Sequence, residues 1–389
     1  MHDFSHPVPA LRLHHGAQAL RFLPAELERL GCRRALVLCG ASLGHDTRVL
    51  ERVREALGSR CADIAPLVRA HSPLPAVQEA AERLRQLQAD AVIALGGGSA
   101  VVTARAASIL LAEAGPAHSL CTGRDSDGRL RSPRLDAPKL PQLVIPTTPT
   151  TAIVKAGSAM LDPADGGRMA LFDPKTRAHA VFVDTALIAT PPRELVVSSS
   201  LNTLAMTIEG LCSTRGDPMS DAFLMHALRL LSTHLPALSD DDSADTRAQL
   251  MMAAILCGHG TDYTGAGIAI PLGHAISARF HVDNGIANAI VMPHVLRFNA
   301  PAAGQGLGKM AAALGFRDTG GASPLDSLVD ALHALSRRLG LPARLRDIGV
   351  TRGSLAAMAE VSMDDWFVRD NPRRVHDAAE LETLLADAW

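Results

Sequence analysis

The chain has 389 residues, 47% apolar and 20% charged, with a formal net charge of −2; that length predicts two domains, each with a sizeable core. Near-neutral charge argues against a nucleic-acid partner or a membrane surface. No apolar stretch approaches the roughly 20 residues of a membrane span.

The N-terminal MHDFSHPVPALRLHH has no basic start followed by an apolar core, so it does not read as a signal peptide. RRALVLCG (33–40) reads as a buried strand, and TRVLERVREALG as a helix stopping at Gly58. AVQEAAERLRQLQADAVIALGGGSA repeats the unit: an amphipathic helix, a strand over 91–95 and a glycine turn. VTARAASILLAEAG follows as a helix, and LPQLVIPTT (140–148) as a strand entering a Thr/Pro-rich loop. Strand–helix alternation of this kind implies a parallel sheet. After Pro191-Pro192 the period turns helical, in PPRELVVSSSLNTLAMTIEGLCS, SDAFLMHALRLLSTHL, DTRAQLMMAAILCGHG and SLVDALHALSRRLG. The six cysteines are scattered without a CxxC pair and read as buried thiols of a cytoplasmic protein.

Three features can carry chemistry. GGGS (Gly96, Gly97, Gly98, Ser99) lies between a strand and a helix, where a backbone can approach a pyrophosphate at a helix N-terminus. GxGxxG is absent, and a plain tight turn is the alternative reading. PTTPTT (146–151), with Thr147, Thr148 and Thr151, follows a strand end, where clefts of open α/β sheets lie; a purely structural loop is equally compatible. The third is PLGHAISARFHVDNGIANAIVMPHV (271–295), with its spaced histidines.

These segments together resemble the iron-containing alcohol dehydrogenase family, and within it most the maleylacetate reductase branch. RALVLCG, ALGGGSAVVTARA, LVIPTT, SSSLNTLAMTIEGL, GIANAIVMPHVLRFNAP, LPARLRDIGV and RDNPRRV follow the family's order nearly end to end. The resemblance implies the iron-containing alcohol dehydrogenase/dehydroquinate synthase-like fold. That fold has an α/β, Rossmann-like dinucleotide-binding domain (1–190), an all-α domain (191–389), an active-site cleft between them, and a homodimer.

Metal-using members hold the ion with an Asp and a His four residues apart plus two later histidines. The matching positions here are Asn202, Met206, Ile270 and Asn284. These are poor or impossible ligands for iron or zinc, so no metal is expected. Met206 and Ile270 are expected to fill the vacated space.

His274 matches a family site histidine. His274 and His281 are the candidate catalytic residues; Arg279, Lys155, Tyr263, Asn202 and Asn284 are candidates for substrate binding, the first two suiting a carboxylate. Asp283 reads as a helix cap, and His294 as structural. For the nicotinamide cofactor the resemblance implies GGGS, Thr147, Thr148, Thr151 and Arg168. Gly40 replaces an Asp that NAD-specific members place after the first strand, leaving NADH and NADPH both open; Val102, and Ile153 or Val154, replace further acidic positions. The expected function is a metal-independent NAD(P)H-dependent reductase of a small carboxylated carbonyl or enone. The alternative is a non-redox lyase, isomerase or condensing enzyme on the same fold.

Overall fold

A computed structural model of the chain describes residues 3–126, 130–164, 167–316 and 323–389. It divides into two compact units: Pro9–Thr148 with Ala152–Pro191, and Pro192–Trp389 with Met1–Val8 and Pro149–Thr151. Two short pieces of the expected 1–190 segment therefore pack with the helical unit instead. The physical reasons are specific contacts. His6 Nδ1 lies 2.8 Å from Asp217 Oδ2, its ring centroid 4.7 Å from that of Tyr263, and Thr151 Oγ1 donates to Met206 Sδ at 3.4 Å.

Among its described residues the first unit has ten strands: β1 (Arg12–Gly16), β2 (Ala35–Gly40), β3 (Cys61–Val68), β4 (Ala91–Gly96), β5 (Gly123–Arg124), β6 (Leu130–Arg131), β7 (Gln142–Pro146), β8 (Gly157–Leu161), β9 (Arg168–Phe172) and β10 (Ala178–Asp184). Its helices are α1 (Leu23–Arg29), α2 (Ala41–Gly44), α3 (Thr47–Leu57), α4 (Leu74–Gln86), α5 (Gly98–Ala112) and α6 (Thr185–Ile188). Six strands form a parallel sheet in the order β1-β10-β7-β4-β2-β3. Parallel strands covered on both faces read as continuous apolar runs, and β2 and β4 are buried nearly throughout. α5 starts four residues earlier than the helix read from the sequence, because Gly98 and Ser99 already belong to its first turn.

From β2 the chain runs outward to β3, whereas from β4 it runs the other way to β7. The order therefore reverses between the neighbours β2 and β4. Ligand crevices of open α/β sheets lie at the carboxyl ends of strands at such a reversal, and the glycine turn sits there.

The second unit contains α7 (Arg193–Cys212), α8 (Pro218–Ala237), α9 (Ala244–Thr264), α10 (Ala269–Phe280), α11 (Asn284–Asn299), α12 (Gly304–Leu314), α13 (Pro324–Arg338), α14 (Leu355–Met363) and α15 (Ala378–Ala388). Among the described residues no strand follows Asp184. α7 is central, packing against α8, α9, α10, α11 and α12. By length and hydropathy it could cross a membrane, contrary to the reading of the bare sequence. Yet 83% of its most apolar 18-residue stretch is buried, as a core helix requires. Asp217, Ser243, Ser323 and Asp377 cap α8, α9, α13 and α15 through their side chains. Asp283 does not do the same for α11. It holds the N-cap position, but its exposed carboxylate closes none of the first N–H groups.

None of the six cysteines is in a disulfide; Cys61 and Cys121 are only partly buried, a correction to the expectation for these two. Burial pushes the Cys32 and Cys39 thiols up to about 11 and Cys212 to about 12. These three are packing residues without nucleophilic character.

Candidate functional site

In the α/β unit the expected loops come together. β4 ends at Gly96, whose φ of 140° lies in the left-handed half of the map that favours glycine. Gly97 is the N-cap of α5 and supplies no capping side chain, so the first N–H groups of the helix remain available to an anion. A Cβ on Gly97 would lie 2.6 Å from Thr148 Oγ1, so only glycine lets the Thr loop approach the turn this closely. Thr147 N donates to Gly96 O at 3.0 Å, and Thr147 and Thr148 are both buried. Arg168 is exposed on β9, and Lys155 is half-buried after the short helical turn Thr151–Ile153.

Sequence reasoning missed the supports of this turn. Ser72 Oγ donates to Ser99 O at 3.1 Å and accepts from Thr103 Oγ1 at 3.0 Å. Ser72 and its neighbour His71 both have positive φ, 48° and 59°, uncommon for non-glycine residues and often found at functional sites. The fully buried Arg105 on α5 donates to the carbonyls of Gly157 and Ala152, bracing the chain after the Thr loop.

In the helical unit, α7 contributes Asn202, Met206 and Glu209, α10 contributes Ile270 and His274, and α11 contributes Asn284 and Asn288. Asn202 Oδ1 accepts from Asn288 Nδ2 at 2.9 Å. Met206 and Ile270 are buried, at 5% and 3% exposure, and Met206 Sδ accepts from Thr151. Apolar bulk thus occupies both positions. Asn284 is half-buried at the start of α11.

His274 Nδ1 lies 3.0 Å from Asp365 Oδ2, with both side chains largely buried. The other oxygen of Asp365 accepts from Phe367 N at 3.1 Å. A carboxylate held from behind and paired to Nδ1 fixes the imidazole orientation. Nothing in the sequence marked Asp365, 91 residues away.

Arg279 is exposed in the last turn of α10, and His281, also exposed, is its left-handed C-cap with φ 54°. Tyr263, in the last turn of α9, packs on His6.

Glu209 is a further residue that the sequence concealed. Burial pushes its carboxyl up to about 7, and the charge of Asp365 adds to this; backbone N–H groups of Gly267, Ala269 and Ile270 pull the other way. Ala269 N donates to Oε1 at 2.6 Å, while Oε2 is buried without a hydrogen-bond partner among the described residues. The folded-state value lies above the ordinary 4.5. Its stabilising contribution is therefore complete below about pH 4.5 and lost as pH rises through about 7. The loss is on the order of 3 kcal/mol. In thermal melts from pH 5 to pH 8, the wild type should lose more Tm than Glu209→Gln, which cannot ionise. Parallel declines would show that another group titrates.

Comparison with known proteins places these features in context. Residues 10–185 match the iron-containing alcohol dehydrogenase family model, and residues 196–389 match that of the Fe-containing alcohol dehydrogenase family, C-terminal. The chain is 30% identical over 385 residues to maleylacetate reductase 2 of Cupriavidus pinatubonensis (strain JMP 134 / LMG 1197), covering 97% of this chain and 94% of that protein. It is 26% identical over 375 residues to the NAD-dependent methanol dehydrogenase of Bacillus methanolicus, covering 94% and 96%. The crystal structure of 1,3-propanediol oxidoreductase superposes with a TM-score of 0.89 at 23% identity, covering both chains completely, a likeness of fold.

The two groups implied by these relatives fare differently. The turn at Gly97 fits a dinucleotide pyrophosphate, because no capping side chain covers the first N–H groups of α5. The four positions matching metal ligands do not fit a divalent cation. They supply two amides, a thioether and an alkyl group. One amide oxygen and the thioether already accept hydrogen bonds within the fold.

Proposed function

The chain belongs to the iron-containing alcohol dehydrogenase family, and on that premise we propose that it is a nicotinamide-dependent reductase of a small carboxylated carbonyl or enone, working without a bound metal. The observation that carries this reading is the His274–Asp365 pair beside ligand positions occupied by Met206 and Ile270. A reduced nicotinamide, when bound, supplies a hydride. Gly96, Gly97, Gly98 and Ser99 would hold its pyrophosphate, with Thr147, Thr148, Thr151 and Arg168 along the rest of the cofactor.

Without a Lewis acid, cationic and hydrogen-bonding groups must stabilise charge developing on the substrate oxygen. His274 is assigned the proton to that oxygen in preference to His281, because it is part-buried and held by a carboxylate whereas His281 is exposed. Arg279 and Lys155 would receive the substrate carboxylate, and Asn202 and Asn284 its remaining polar atoms. Tyr263, packed on His6, is better explained as a structural residue.

The test is a screen of small keto acids, enoates and their uncharged analogues with NADH and NADPH, alongside elemental analysis of protein purified without chelator. The expected outcome is turnover of carboxylated compounds only, with iron and zinc far below one per chain and no loss of rate in EDTA. Stoichiometric metal would overturn the metal-free part. Failure to bind either nicotinamide would transfer support to a non-redox reaction on the same fold.

A further inference from the structure

The carboxyl edge of β2 and β3 holds a group that the reading so far leaves unused. We infer that Arg69, with His71 beside it, recognises the 2′-phosphate of NADPH, so that this chain prefers NADPH to NADH; the inference rests on the proposed nicotinamide dependence.

The order reversal between β2 and β4 puts a dinucleotide across the carboxyl ends of both strands. The pyrophosphate belongs on the Gly97 turn after β4. The Thr loop, assigned to the rest of the cofactor, follows β7 on the other side of β4 from β2. The nicotinamide half belongs toward that loop, and the adenosine half toward β2 and β3.

At the adenosine end a carboxylate would accept from the ribose 2′-hydroxyl and repel a phosphate, whereas an arginine accommodates the phosphate. Here β2 ends in Gly40. Neither GASLGH (40–45) nor VRAHSP (68–73) contains an acidic residue. The nearest carboxylate in sequence, Asp46, is engaged as the N-cap of α3, accepting from Arg48 N and Val49 N.

β3 pairs in parallel with β2 so that Gly40 stands opposite Val68, and Arg69 is the next residue. Arg69 is exposed, yet its guanidinium is tied down. Nη1 donates to Pro66 O at 2.7 Å and to Val68 O at 3.2 Å. Pro66 in turn packs against α2, which begins directly after Gly40: a Cβ on Gly44 would lie 2.6 Å from Pro66 Cβ. Carbonyls orient the fork without neutralising it, and among the described residues Arg69 has no ion-pair partner. An oriented, unneutralised guanidinium is suited to bidentate phosphate binding. His71, exposed with φ 59° on the turn after β3, and Ser42, exposed in α2, offer further donors on this edge.

The experiment is a binding titration of the full-length protein with NADPH and NADH by nicotinamide fluorescence, and with 2′,5′-ADP and 5′-AMP by calorimetry. NADPH should bind at least tenfold tighter than NADH, and 2′,5′-ADP tighter than 5′-AMP by a similar factor. Arg69→Ala should abolish both ratios while leaving the NADH Kd within about twofold, which also shows that the variant is folded. Arg69→Lys should retain part of the preference, and Gly40→Asp should invert it. Equal affinities in the wild type, or a ratio that survives Arg69→Ala, would overturn the inference and leave the reductase reading intact. Binding of neither NADH nor NADPH would remove both.

Discussion

Replacing Gly285 by alanine is expected to destabilise the helical unit by about 3 kcal/mol or more, within the upper range for forced overpacking. Gly285 is in the first turn of α11, where that helix crosses α7. A Cβ there would lie 1.8 Å from the carbonyl oxygen of Ser198 and 2.6 Å from its carbon. Both neighbours are backbone, so no rotamer change relieves the clash; α11 must move away from α7. The higher helix propensity of alanine returns at most about 1 kcal/mol, so the clash decides the sign. Gly308, exposed in α12 with nothing within 4 Å of its own Cβ position, is the control. Alanine there should be neutral or stabilising by up to about 1 kcal/mol. Denaturant unfolding of the two variants beside wild type makes the comparison. A Gly285→Ala protein as stable as wild type would mean that the α7–α11 crossing is not this close. The crossing matters for the site because it holds Asn202 of α7 against Asn288 of α11.

Contacts of this kind mark the limit of what the sequence reveals. β2, β4 and β7 were legible because strands buried on both faces show unbroken apolar runs. β1 was not: RLHHG is polar and its edge position leaves it largely open. β3 carries Pro66 inside its apolar run, which reads as a break. β10, AHAVFVD, carries the same signal as β2. The N-terminal piece joins the helical unit through His6 and Asp217, 211 residues apart, which no local periodicity can encode.

The candidate site divides the same way. The glycine turn and the Thr loop are local motifs, and the structure joins them at Gly97 and Thr148. His274 was readable through family resemblance, but Asp365, Glu209 and Asn288 were not. A carboxylate in a helical segment normally reads as a solvated face, and only the folded chain shows Glu209 sealed beneath the start of α10. The same limit explains why Asp283 read as a cap: the residue type and position are right, and only the side-chain direction differs.

Substituting His274 by alanine is expected to lower kcat for the reductive reaction by about 10² to 10⁴-fold, the range for a positioned proton donor. The NAD(P)H Kd should not change, because the nucleotide candidates all lie on other elements. KM should move little if the ring acts mainly on charge that develops during the reaction. Asp365→Asn should act in the same direction but less strongly. An amide can keep a hydrogen bond near Nδ1, whereas it no longer carries the charge that stabilises an imidazolium. Asp365→Glu, which retains the charge and displaces it by one methylene, should recover part of the rate. The double variant His274→Ala/Asp365→Asn should be no worse than His274→Ala alone, since a carboxylate that acts only through the ring has nothing left to position. Additive losses would show that Asp365 acts independently of the histidine, through the cap it forms on Phe367 N. Unchanged kcat in His274→Ala would remove the proposed proton donor, and the role would pass to His281, whose own alanine variant would then carry the loss.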